Sequence, residues 1–160
     1  MGVETEAFGV IYEAQATRLL RIAVLVGGER DAEDVVAETF ARCWRRWQRH
    51  EPDDPGAYLR RTLLNELARR GARKTPVAGV ARSPGLDEIA DRLDLMRALG
   101  ELDHDQRVVV VLRYLDDQSE AAVAELLEVP VGTVKSRASR GLARLQQILQ
   151  PLDVTEAIHE

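Results

Sequence analysis

The 160-residue chain has a single cysteine, Cys43, so no internal disulfide can form. Its three histidines (His50, His104, His159) are scattered and offer no metal-ligand cluster. Aromatic residues make up only 4% of the chain. No apolar run approaches the roughly 20 residues needed to span a bilayer, and the N-terminus lacks a basic stretch followed by an apolar one. A reducing, cytoplasmic setting with no membrane partner is therefore expected. Paired catalytic carboxylates, a nucleophile–base set and a glycine-rich phosphate loop are also missing, and Ser136 and Ser139 have no base nearby in the pattern. Gly27-Gly28 reads as a helix C-terminus instead. Neither an enzyme nor a cofactor or metal is expected.

What remains is helical material. Ala, Leu, Val, Arg and Glu dominate a chain that is 45% hydrophobic, a composition that favours helix throughout. Its length suits one core or two small modules near the lower limit of independent folding. A net charge of −5 argues at face value against nucleic acid, but the distribution reverses that reading. Residues 60–74 carry six cations (Arg60, Arg61, Arg69, Arg70, Arg73, Lys74) against Glu66 alone. Residues 129–150 carry Lys135, Arg137, Arg140 and Arg144 with no acid, whereas 101–128 hold eight acids against Arg107 and Arg113. Two basic surfaces are thus separated by acidic ones.

Phe8, Ile11, Gln15, Leu19, Ile22 and Val26 recur at helical spacing, predicting a first helix from an N-cap at Thr5 to Gly27-Gly28. A second runs from Asp31 to about His50. Its apolar stripe is Val36, Phe40, Cys43 and Trp47, with Asp34, Glu38, Ala41 and Arg45 opposite at 100° per residue. Trp44 and Trp47 read mainly as core. Asp54-Pro55 reads as N-cap and first residue of a third helix over about 55–70, with Leu59, Leu63 and Leu67 inward. Residues 71–86 contain three glycines and two prolines without helical period and read as a linker. Fully stretched, such a segment reaches about 55 Å, and relaxed about 20–25 Å.

Beyond it, Ile89, Leu93, Met96 and Leu99 predict a short amphipathic helix. Asp103 to Gln106 forms a capping-box pattern before Val108–Leu115. The run of valines would suit a buried strand on propensity alone, but the cap, the flanking helices and the lack of a partner strand favour helix. Residues 119–127, a break at Glu128-Val129-Pro130, and a last helix from Val131 to Leu149 have helix-turn-helix proportions. In that last helix Val131, Val134, Ala138, Leu142, Leu145 and Leu149 face one side. Lys135, Ser136, Ser139 and Arg140 face the other, with Arg137 and Arg144 at the margin. An apolar stripe that docks the helix would leave donors and cations free for a major groove. An ordinary amphipathic helix with a solvated basic face would show the same pattern.

Longer stretches resemble a known family. Residues 98–102 (ALGEL), 106–114 (QRVVVVLRY) and 131–137 (VGTVKSR) resemble region 4 of extracytoplasmic-function (ECF) sigma factors, the bacterial RNA polymerase subunits that choose promoters. Residues 32–40 (AEDVVAETF) and 54–61 (DPGAYLRR), continuing to Asn65, resemble region 2 of the same family. The resemblance covers about residues 5–150. It implies an all-α fold of two small helical modules: residues 1–70 as region 2, 71–86 as linker and 87–150 as region 4; residues 151–160 read as a short acidic tail with no assigned role.

The resemblance also assigns roles. Glu33, Asp34, Glu38, Thr39 and Arg42 are expected to dock on the clamp helices of the polymerase β′ subunit, although a solvated acidic face would carry the same charges. Tyr58, Arg61, Thr62, Asn65 and Arg69 are expected to belong to the −10 reading surface, with the 49–57 loop capturing a base. A core tyrosine and a helix-interior asparagine are the plainer alternatives for Tyr58 and Asn65. Thr133, Lys135, Ser136, Arg137, Ser139 and Arg140 are expected to meet the −35 element. Partners implied are core RNA polymerase (β′ clamp helices and β flap) and promoter DNA; family analogy adds an anti-sigma factor, which no residue here identifies. Several positions depart from the family pattern: Ala37 for glutamine, Asp103 for proline, Ala122 for glutamate, Glu128 for a turn glycine, and Pro130 for a serine N-cap. A left-handed Glu128 would cost about 1–2 kcal/mol. The rival readings are a stand-alone helix-turn-helix regulator and a purely protein-binding adaptor.

Overall fold

The computed structural model of the chain describes residues 2–50, 52–71 and 86–149. The segment read as a linker, apart from Gly71 and Leu86, lies outside that description, as do the side chain of Ile89 and the tail 151–160. Helices α1 (Gly2–Gly27), α2 (Ala32–Trp47) and α3 (Pro55–Arg69) come first, followed by α4 (Leu86–Gly100), α5 (His104–Val110), α6 (Glu120–Leu127) and α7 (Val131–Leu149). Among the described residues there is no strand. The valine run is helical, and α5 widens into a π-helical turn over Val111–Leu115.

The first three helices pack on one another through the expected stripes. Leu19, Ile22 and Val26 of α1, Val36, Phe40, Cys43 and Trp47 of α2, and Leu59, Leu63 and Leu67 of α3 are all buried. The few aromatics concentrate here. The Phe8 ring lies 4.9 Å from Trp44, 5.6 Å from Trp47 and 6.2 Å from Phe40, centroid to centroid. Such pairs contribute about 0.5–1.5 kcal/mol each beyond area burial. Two adjacent glycines end α1 for different reasons. A Cβ on Gly27 would stand 2.6 Å from a Leu67 methyl, so α1 and α3 approach too closely for a side chain. Gly28, at φ 92, supplies the left-handed residue that closes the helix.

Some boundaries differ from the expectation. Helix α1 begins at Gly2, not at a Thr5 cap; nothing in residues 2–4 breaks a helix, and Glu4 suits its positive N-terminal end. Asp54 does cap α3, accepting from the Ala57 amide at 2.9 Å. Asp103 sits at the N-cap of α5 but makes no side-chain capping bond, so the capping box does not form. Ser119 caps α6 by accepting from the Ala122 amide at 3.1 Å. Glu128 ends α6 in the left-handed conformation, φ 56 and ψ 43, the geometry that the turn requires and that glycine would adopt without strain.

Helix α7 docks through Val134, Ala138, Gly141 and Leu145. The two ends of the expected stripe, Val131 and Leu149, stay largely exposed. Gly141 sets the spacing: a Cβ there would lie 2.6 Å from the Val110 Cγ2. The buried residues of the first three helices and of the later ones form one continuous cluster.

Candidate functional site

Three helix faces carry the predicted site residues. On α2, Glu33 and Asp34 are exposed and Glu38 is half-exposed. Glu38 accepts from the Arg42 Nε at 3.1 Å, and this bond, helped by the Arg45 and Arg69 charges, holds its carboxyl below the usual range. Thr39 does not belong to that face. It is fully buried, and its hydroxyl donates back to the Val35 carbonyl at 2.8 Å. One position past Glu38, the helix has turned Thr39 toward Val35 and the core.

On α3, Tyr58, Arg61, Thr62, Asn65 and Arg69 fall within about 100° of one another at 100° per residue and so share one side. Tyr58 is half-buried beneath the Arg46 guanidinium, 5.4 Å from its ring centroid. The Thr62 hydroxyl donates to the Tyr58 carbonyl at 2.9 Å. Asn65 is exposed. Arg69 and Arg42 converge on Glu66, whose side chain is 2% exposed, at 2.6 and 2.8 Å. The series Glu38–Arg42–Glu66–Arg69 therefore couples the acidic face of α2 to the basic side of α3. Beside Thr62 lies the Cys43 thiol, which burial pushes up to about 11 and so keeps protonated.

On α7, Lys135, Ser139, Arg140 and Arg144 are exposed, while Thr133, Ser136 and Arg137 are half-buried. Ser136 turns back to donate to the Thr133 carbonyl at 3.2 Å. Arg137 is held by Asp105 at 2.8 Å, on the neighbouring α5. Lys135 lies 3.8 Å from Glu120, but with 65% of its side chain exposed it can exchange that weak partner. The cations open to a polyanion are thus Lys135, Arg140 and Arg144 rather than Arg137. A helical projection alone puts Arg144 only at the margin of that face.

Contacts that sequence reasoning passed over join the first three helices to the later ones. Arg107 is buried without a carboxylate. Its guanidinium donates to the carbonyls of Leu99 (2.8 Å), Val26 (2.9 Å), Leu102 (3.1 Å) and Gly100 (3.3 Å), at the negative ends of α4 and α1. Arg18 grips both carboxylate oxygens of Asp116, at 2.5 and 3.0 Å. Arg61 donates to the Glu125 carbonyl at 2.9 Å and stands 3.6 Å from the Glu128 carboxylate. A charged residue inside an apolar stripe, such as Glu66 between Leu63 and Leu67, was a signal available in the sequence. The partner of each was not.

Among the described residues no set of three His, Cys, Asp or Glu could hold a metal, and no helix is long and apolar enough to cross a membrane. Two family models match: Sigma-70 region 2 over residues 11–75 and Sigma-70, region 4 over residues 92–145. The chain is 36% identical over 138 residues to an RNA polymerase sigma-E factor of Streptomyces coelicolor, covering 81% of this chain and 78% of that protein. It is 33% identical over 169 residues to the ECF RNA polymerase sigma factor SigL of Mycobacterium tuberculosis, covering 95% and 94%. Among solved structures, the sigma factor RpoE of Bartonella quintana, crystallised with the anti-sigma factor NepR, matches with a TM-score of 0.75 at 28% identity over 92% of this chain and 99% of that one. CnrH, solved with the cytosolic domain of CnrY, matches with a TM-score of 0.71 at 32% identity over 91% and 88%.

Proposed function

The chain belongs to the ECF sigma factors and is an alternative RNA polymerase subunit that directs transcription initiation; from that premise we propose which of its surfaces does each part of the work. Residues 1–70 form the module that binds core polymerase and reads the −10 element, residues 87–150 read the −35 element, and 71–86 link them. Glu33, Asp34 and Glu38 meet the β′ clamp helices, with Arg42 bracing Glu38 from behind. Tyr58, Arg61, Thr62, Asn65 and Arg69 form the −10 surface. Lys135, Ser139 and Arg140 lead the −35 contact, with Thr133 and Ser136 at its edge. The β flap is the second polymerase contact. An anti-sigma factor is a further partner, a reading supported by the relatives solved with NepR and CnrY. The protein acts in the cytoplasm and catalyses nothing itself; the phosphoryl chemistry belongs to the polymerase.

One observation carries this division of labour. Two exposed helix faces have opposite charge: Glu33 and Asp34 on α2, and Lys135, Arg140 and Arg144 on α7. An acidic chain whose exposed α7 face offers three cations holds duplex DNA weakly and in a strongly salt-dependent way by itself. A large partner that fixes both readers makes the second contact effectively intramolecular.

Run-off transcription with purified core polymerase tests the reading. Transcripts from a cognate promoter should appear only when the chain is added, and Asp34→Lys should abolish both core binding and transcription. Tight, sequence-specific DNA binding without polymerase would instead favour a stand-alone helix-turn-helix regulator.

A further inference from the structure

Glu66 is the sole acid in the α3 sequence, and it is buried in the apolar stripe between Leu63 and Leu67. A buried carboxylate has a desolvation cost that a leucine in the same stripe would avoid, so stability alone does not account for it. Both of its oxygens are engaged. Oε1 stands 2.8 Å from the Arg42 Nη1 of α2, and Oε2 accepts from the Arg69 Nη2 at 2.6 Å. The two arginines differ in what they can do next. Arg42 also donates through its Nε to Glu38, so it is pinned between two carboxylates. Arg69 keeps 62% of its side chain exposed, so the rest of its planar fork stays accessible. An unpaired arginine on this surface would sample many rotamers and meet whichever phosphate came near, adding affinity without sequence information. A guanidinium held at one Nη by a fixed carboxylate presents one edge in one place, with its charge already matched. Such an edge favours a single acceptor geometry, as a base offers, over a generic phosphate.

We infer that Glu66 is a positioning residue for promoter discrimination: by fixing Arg69 on the −10 face, it makes that arginine read a base edge instead of gripping any phosphate. The inference rests on the function proposed above, in which Arg69 faces −10 DNA. Arg42 gives the arrangement its rigidity, because a carboxylate held from α2 as well cannot swing outward with Arg69. Placement of one arginine thus depends on the packed pair α2 and α3, not on α3 alone.

The test uses the full chain assembled with core polymerase. Two labelled probes are titrated over a salt series: a promoter fragment selected by the wild-type holoenzyme from a randomised pool, and the same fragment with its −10 segment scrambled. Glu66→Leu should reduce the affinity ratio between the probes by about three- to tenfold, while binding to the scrambled probe strengthens. Its salt slope should steepen by about 0.7–0.9, the mark of one added phosphate contact by the freed Arg69. In an Arg69→Ala background, Glu66→Leu should leave the ratio within about twofold and the slope unchanged. Loss of folded protein would scale both probes together, so a purely structural role cannot produce this pattern. Glu66→Gln keeps the shape but has one acceptor oxygen for two arginines. It should act in the same direction, and it decides the matter if the leucine form does not fold. An unchanged ratio in a folded variant, or the same loss of discrimination with Arg69 absent, would overturn the inference. Wild-type holoenzyme that selects no fragment at all would overturn the functional reading, and with it the role of Arg69 on which this one depends.

Discussion

The Glu66 carboxylate, 2% exposed, stands 2.8 Å from the Arg42 guanidinium and 2.6 Å from that of Arg69, so the helix with the acidic face is tied to the helix with the −10 candidates by a buried charge. Truncating one cation leaves that buried charge with a single partner. Arg42→Ala should destabilise the fold by about 2 kcal/mol, whereas replacing Glu66 by leucine should cost less, because the two arginines can then hydrate. Urea denaturation of both variants checks the order.

The close approach of α5 and α7 gives a matched pair of substitutions. Gly141→Ala forces a methyl to within 2.6 Å of the Val110 Cγ2, and overpacking should outweigh the gain in helix propensity for a net loss of about 1–2 kcal/mol. A Cβ on Gly132 meets nothing within 4 Å, so Gly132→Ala should be neutral or slightly stabilising. Thermal melts followed by circular dichroism separate the two.

His104 supplies a pH dependence. Its Nδ1 is buried without a hydrogen-bond partner, and burial, with the Arg107 charge beside it, pulls its pKa below the ordinary value near 6.5. The unfolded chain therefore takes up a proton that the folded chain resists. The contribution is intact above the unfolded value and is lost as pH falls from there toward the folded one. Between pH 7 and pH 5 the wild type should lose more stability than His104→Gln, measured as the shift in urea midpoint.

The α7 cations should divide by their present partners. In holoenzyme, Lys135→Ala with Arg140→Ala should weaken use of promoters that depend on the −35 element. The salt slope of binding should fall by about two, near 0.9 for each phosphate no longer neutralised. Arg137→Ala breaks the ion pair with Asp105 instead, so it should shift the melting temperature of the chain more than the salt slope. Filter binding across a salt series, alongside melts, distinguishes these outcomes.

The helices were legible because their apolar stripes face a core. Val134, Ala138 and Leu145, or Leu59, Leu63 and Leu67, are buried where a period of 3.6 puts them. The left-handed turn at Glu128 was legible too, since its position demanded that geometry whatever residue stood there. Thr39 was misplaced by its neighbourhood in a charged motif, although its four-residue spacing from Val35 already pointed inward. Arg18 with Asp116, and Arg107 with the Val26 carbonyl, are 98 and 81 residues apart, and no local period encodes such pairs. Only the packing of the first helix against the later ones reveals them. For the same reason the sequence placed Arg61 among the −10 candidates without its contacts to Glu125 and Glu128.

The central claim is that DNA reading depends on a polymerase that the acidic face of α2 grips. Fluorescence anisotropy of a labelled cognate promoter, titrated with the chain alone, with core polymerase alone and with both, tests it most directly. The account predicts saturable, sequence-specific binding only in the combined titration, and its loss with Asp34→Lys. Equal affinity for the promoter with and without core polymerase would contradict it.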